Sequence, residues 1–159
     1  MNTTAKHHVT LSHHHIHTRA LAEHKKLLDE YKKAVDASSL ISRFDTNRII
    51  TYVNDEQCRI SGYSAQELVG SSVVITRSPN TPAEKIEAIW QTLYAKKIWR
   101  GIIENRRKDG SSYFIDATIV PILGVNDEIT EFIRIGHDVT PIVEGDENDS
   151  GSSLMPRMP

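Results

Sequence analysis

Both tryptophans of the chain stand where two predicted elements meet: Trp90 inside the stretch Thr81–Lys97, and Trp99 just beyond it. Asn105 follows Trp99, Gly101 and Ile103 at every second position. Strand alternation puts these four on one side and Ile98, Arg100, Ile102, Glu104 and Arg106 on the other. An amide therefore joins a row that is otherwise apolar. If that row is buried, the amide needs partners in backbone, water or a ligand. A helix laid across one face of an antiparallel sheet makes a pocket, and the tryptophans mark the join. Whatever this protein holds or senses is expected there.

Other residues with chemical potential lead less far. His7, His8, His13, His14, His15 and His17 crowd the first seventeen positions. Neutral imidazoles at such short spacings chelate Zn²⁺ or Ni²⁺. The tract holds no Cys, Asp or Glu and has no fixed geometry, so it reads as a flexible end that takes metal only adventitiously. Cys58, the single cysteine, excludes an internal disulfide framework and reads as a small core residue. No nucleophile, base and orienting group assemble at a recognised spacing, and no phosphate loop or catalytic carboxylate pair is present, so an enzyme is not predicted.

The elements that must position Trp90, Trp99 and Asn105 are well marked. Thr81 reads as an N-cap, Pro82 as the first helical residue and Glu84 as the far half of a capping box. Ile86, Ile89, Trp90, Leu93 and Tyr94 then form one apolar helix face. Strands follow at 98–107, 112–123 and 129–140, with Asp109-Gly110 as a tight turn and Gly124–Asp127 as the second. Upstream, Ser39–Asp45 and Ile49–Asn54 read as a hairpin around Asp45–Arg48, followed by a short helix Asp55–Ser61 closed by Gly62. Ser64 and Glu67 form another capping box, with Gly70 ending that turn. Residues 71–80 are open between a helical turn and extended backbone.

The flanks differ from this core. Residues 18–38 are rich in helix formers, with Leu21, Leu28 and Val35 seven apart and Leu27 widening the stripe. Such a polar helix packs on its own domain, on a second copy, or on both. Residues 141–159 hold Glu144, Asp146, Glu147 and Asp149 among Ser, Gly and Pro and read as a disordered acidic tail. With 159 residues and a net charge of −2, the chain is sized for one domain with tails and makes no case for nucleic acid. No run approaches the length of a membrane span and no signal segment follows Met1, so a cytoplasmic protein is expected.

The order of these elements resembles that of PAS domains, and so do the residues. YVNDEQCRISGYSAQELVG looks like the strand and helices of such a domain, and ENRRKDGSSYF with HDVT like its hairpin and closing Asp-x-Thr. The resemblance covers about residues 31–140. It implies an α+β fold: a five-stranded antiparallel sheet with helices on one face, plus the flanking helix.

Three ligand classes of that family can be compared. The light-sensing flavin group carries a reactive cysteine where this chain has Val73, a glutamine where it has Gly136, and a second hairpin asparagine where it has Ile115. Haem-binding members ligate iron through a histidine on the long helix, and 81–97 contains none; His137 alternates to the outer side with Ile133 and Ile135. The chain is most similar to the FAD-binding PAS domains of aerotaxis receptors and of the nitrogen-fixation redox regulator. Trp90, Trp99-Arg100-Gly101 and Asn105–Gly110 match their pattern, as does Asn54. Ser78 and Asn80 replace the histidine and aspartate of the aerotaxis loop. The resemblance implies FAD, with Asn105 and Asn54 on the flavin edge, Trp99 and Trp90 against the ring, and Arg77 on the diphosphate. It also makes Asp138 and Thr140 the link to an output element.

Two functions follow. One is a redox- or oxygen-sensing input domain that signals through a dimer or helix rearrangement, its output domain lying elsewhere. The other is a ligand-free interaction module that forms a homodimer through the 18–38 helix and the outer sheet face, where Phe114, Thr118, Val120, Ile122, Ile133 and Ile135 fall.

Overall fold

The computed structural model describes the backbone of residues 3–150 and the side chains of residues 12–145. The chain divides into two units, Met1–Ser38 and Ser39–Pro159. The first unit is one helix, α1 (Thr3–Ser38). It is longer than the 18–38 helix expected and takes in the histidine tract read as a flexible end. No glycine or proline interrupts residues 3–38, so nothing in the tract stops a helix from propagating. Leu21, Leu27, Leu28 and Tyr31 are exposed on it. Among the described residues no group of three or more His, Cys, Asp or Glu side chains is placed to hold a metal ion. The side chains of His7 and His8 lie outside the described residues.

The second unit is built on a five-stranded antiparallel sheet of β1 (Leu40–Asp45), β2 (Ile50–Val53), β3 (Trp99–Arg106), β4 (Ser112–Leu123) and β5 (Ile129–Asp138), in the order β2-β1-β5-β4-β3. The first and last strands in sequence thus become neighbours at the centre. Alternation sorts the two faces as the sequence requires. Tyr113, Ile115, Ala117, Ile119 and Phe132 are buried on the inner face, while Phe114, Thr118, Val120, Ile122, Ile133 and Ile135 are half-buried on the outer one. The turns carry the predicted chemistry: Asp45 Oδ1 accepts from the backbone N–H groups of Asn47 (2.9 Å) and Ile49 (3.0 Å), and Gly110 takes φ 91° in the β3–β4 turn.

Between β2 and β3 lie α2 (Asp55–Ser61), α3 (Ala65–Leu68), a 3₁₀ turn (Val73–Thr76) and α4 (Ala83–Tyr94). The ambiguous 71–80 stretch is therefore a helical turn. α4 buries Ile89, Trp90 and Leu93 toward β3 and β4. Its cap differs from expectation: Pro82, not Thr81, is the N-cap, and no side chain caps the helix. Thr81 is instead drawn into the tight turn before it, where its N–H donates to the Ser78 carbonyl at 3.3 Å.

The segment after β5 is a second correction. It continues as α5 (Thr140–Ser150) where a disordered tail was expected. Pro141 falls in the first turn, where a missing N–H costs nothing. Asp138 Oδ1 accepts from the Thr140 N–H at 2.9 Å and fixes the start. The rest of the expected tail, 151–159, lies outside the described residues.

Candidate functional site

The inner sheet face, α4 and the 3₁₀ turn enclose a cavity of about 130 Å³. Ile50, Val73, Ile89, Leu93, Ile103 and Ile119 supply apolar wall. Trp90 is fixed in that wall from several sides. Its ring meets Phe44 edge-on (5.8 Å, 72°) and Phe132 edge-on (5.5 Å, 86°), and stacks on Tyr94 (5.8 Å, 30°). The Arg48 guanidinium lies 4.2 Å from the Trp90 ring centre, and its Nε donates to the Tyr94 hydroxyl at 3.1 Å.

Polar groups interrupt this lining at a few points. Asn105 is 4% exposed, and its Nδ2 has no hydrogen-bond partner. Ser42 is 3% exposed, and its hydroxyl also lacks one. Both line the cavity. Buried donors in this state are uncommon and costly. Arg134 reaches the same cavity from β5. Burial pulls its guanidinium below the ordinary value, partly offset by Tyr113; an arginine nevertheless stays charged. Burial likewise pushes the Tyr113 phenol up, against the positive charge of Arg134 and a 3.4 Å hydrogen bond from Gln57 Nε2.

Glu104 is the carboxylate of the lining, and its Oε1 is taken. Asn80 Nδ2 and Ser112 Oγ each donate to Oε1 at 2.9 Å. Burial alone would raise its pKa, but these hydrogen bonds, a further one from Ser78 and the nearby Lys85 charge hold it below the ordinary value. The residues that depart from the aerotaxis loop thus form a bracket for Glu104, a job an aspartate at position 80 would do badly.

Of the residues singled out in the sequence, Asn105, Trp90 and Arg77 come together at the cavity. Arg77 is exposed, and its backbone bridges that of Asn105. Asn54 and Trp99 lie elsewhere. Asn54 caps α2: Oδ1 accepts from the N–H groups of Gln57 (3.1 Å) and Ile41 (3.1 Å), while Nδ2 donates to the Ser39 carbonyl (2.7 Å). Its carbonyl oxygen is thereby filled by two backbone donors. Trp99 folds back along its own strand over Gly101, where an added Cβ would stand 2.8 Å from the indole. It packs on the core and stays half-buried. Asp138 and Thr140 lie where β5 passes into α5, and Thr140 Oγ1 accepts from the Phe114 N–H at 2.9 Å. Sequence reasoning missed Arg134 and Ser42. Placing Ile133 and Ile135 on the outer face already required Arg134 to face inward.

A family model described as the PAS fold matches residues 34–139. The chain is 35% identical over 104 residues to the nitrogen fixation regulatory protein of Klebsiella pneumoniae, covering 65% of this chain and 21% of that protein. It is 38% identical over 88 residues to the aerotaxis receptor of Escherichia coli K12, covering 55% of this chain and 17% of the receptor. Among solved structures, the PAS domain of a Colwellia psychrerythraea protein superposes with a TM-score of 0.66 at 25% identity, covering 72% of this chain and 98% of that one. The chain thus spans about a fifth of the length of these curated relatives.

Proposed function

The chain belongs to the PAS fold family, and from that premise we propose that it is the sensory input domain of a larger cytoplasmic regulator, holding a flavin, FAD foremost, in the cavity under α4. The observation that carries this reading is Asn105, a buried amide whose Nδ2 faces an apolar cavity with no acceptor in reach. The dione edge of a flavin is such an acceptor, Trp90 offers an aromatic wall, and Arg77 at the rim suits a diphosphate. Asn54 and Trp99 belong to the scaffold in this scheme. At about 130 Å³ the cavity has the size that holds one benzene ring (roughly 150 Å³), so a tricyclic ring requires α4 to lift from the sheet.

A flavin supplies a redox couple whose two states differ in charge and protonation. Asn105 would read that difference by strengthening or releasing its hydrogen bond. Its cross-strand partner is Tyr113, and the next residue, Phe114, donates to Thr140 at the start of α5. The pocket amide and the output helix are thus joined through consecutive residues of β4. The test is the visible spectrum of the purified chain before and after chemical reduction. Flavin bands that bleach on reduction support the reading. A colourless chain that takes up no FAD on refolding with excess overturns it.

A second reading rests on the outer sheet face, where Phe114, Val120, Ile122, Ile133 and Ile135 form an apolar surface. With α1, that surface would serve a homodimer that transmits a signal without any ligand.

A further inference from the structure

Arg134 stands on the central strand, in inward register between Phe132 and Gly136. Ser42 of β1 lies opposite it on one side and Ile119 of β4 on the other. The neighbouring row toward Tyr113 is Leu40, Gly136, Ala117 and Gly101. In that row Gly136 and Gly101 are covered by the Ile115 side chain and the Trp99 indole. Position 136 admits nothing larger, since an added Cβ would collide with Ile115. Among the described residues no carboxylate lies within ion-pair distance of Arg134, and its side chain makes no hydrogen bond. Glu104, also in the lining, has its Oε1 held by Asn80 and Ser112. Arg48 is committed to Trp90 and Tyr94.

A partly desolvated cation with no counter-charge loses hydration without recompense. Ser42 Oγ and Asn105 Nδ2 are likewise donors that lack acceptors. All three groups ask for the same thing. We infer that Arg134 is the charge-recognising residue of this pocket, and that the pocket takes a flat, apolar molecule ending in an acceptor-only edge, carboxylate or carbonyl, against the Arg134 guanidinium. The planar fork of an arginine pairs with such an edge through two parallel hydrogen bonds, which a lysine does not reproduce. Two sources share this chemistry: the N1–C2=O edge of a flavin, where the reduced form carries its negative charge, and the carboxylate of a small aromatic acid. Only the flavin arm rests on the function proposed above.

The experiment uses the full chain, its Arg134→Met and Arg134→Lys variants, and circular dichroism to verify folding of each. In the first arm, benzoate, benzamide and benzamidine are titrated while the Trp90 indole is followed by NMR. Benzoate is expected to bind about 10-fold or more tightly than benzamide, with benzamidine rejected. Arg134→Met should abolish the preference and Arg134→Lys should keep part of it. In the second arm, the chain is refolded with FAD and its midpoint potential measured. Arg134→Met should shift the potential negative, because the cation stabilises the more negative reduced form.

Benzoate recognition that depends on Arg134, without FAD uptake, sustains the inference and ends the flavin reading. FAD uptake with a potential indifferent to Arg134, together with no preference for benzoate, overturns the inference and leaves the flavin reading standing. No binding in either arm overturns both. A neutral probe that binds as well as benzoate in the wild type, with the FAD potential unmoved by Arg134→Met, overturns the inference alone.

Discussion

Asn54 and Asn105 are buried to nearly the same degree, 5% and 4% exposed, yet their amides are in opposite states. Asn54 satisfies backbone groups of β1 and α2, so Asn54→Ala removes a helix cap and orphans the Ile41 N–H. A loss of about 2 kcal/mol is expected, seen as a lower urea midpoint with an unchanged slope. Asn105→Leu removes a donor that has no partner. Its stability should change by less than about 1 kcal/mol, while ligand content of the purified protein falls. Equal destabilisation by the two changes would remove Asn105 from the site. Alternation made Asn105 legible in the sequence. The role of Asn54 was not, because a strand-end asparagine reads alike whether it caps the next helix or faces a pocket.

Glu104 gives the same scale a pH dependence. Its folded pKa lies below the ordinary carboxylate value, so its contribution is complete above that value and is lost as pH falls through the lower folded one. Acidification below about pH 4 should loosen the Ser78–Asn80 bracket. The effect is a fraction of the usual charged hydrogen bond because the group is partly solvated. Melting temperature against pH, for wild type and Glu104→Gln, checks this: the variant should show a shallower acid limb.

Among the elements, α5 carries the clearest test. Its first turn is held by the side chains of Asp138 and Thr140, and Thr140 also satisfies the Phe114 N–H of β4. Thr140→Val keeps the shape and removes that acceptor, at a cost of about 1–2 kcal/mol. Faster amide exchange at Phe114, with the central strands unchanged, is the expected signature. Uniformly faster exchange would mean that Thr140 supports the whole sheet and not this junction. The helix escaped sequence reading because acidic residues and Gly145 suggest disorder, whereas the signal that starts it sits upstream in Asp138-Val139-Thr140. The strands, by contrast, were readable to within a residue or two, since period-two burial and turn residues such as Asp45 and Gly110 agree on their ends. The α4 cap was misread for a local reason: Thr81 satisfies the cap pattern in sequence, but the turn from Ser78 uses it first.

At the scale of the whole chain, no helix among the described residues is long and apolar enough to cross a membrane. α1 presents Leu21, Leu27, Leu28 and Tyr31 to solvent, and the outer sheet face presents its own apolar row. If these surfaces join two copies, sedimentation should give twice the 17.9 kDa chain mass. Leu28→Lys with Ile133→Lys should return it to one. A wild type that sediments as a single chain at high concentration would remove the dimer reading. The order of elements alone was enough to show a meander with helices inserted after a hairpin. The size of the cavity was not, because it depends on how far α4 stands from the sheet, a quantity that no residue pattern encodes.

The fold-back of Trp99 over Gly101 separates the two indoles of the chain as optical reporters. Trp90 lines the cavity and is clasped by Arg48, whereas Trp99 lies over Gly101 of its own strand and packs at the edge of the core. Replacing Trp99 by Phe therefore leaves a chain whose whole indole emission originates in the cavity wall. A change in that emission on adding a compound would report occupancy directly, with no label attached and whatever the compound's chemical class.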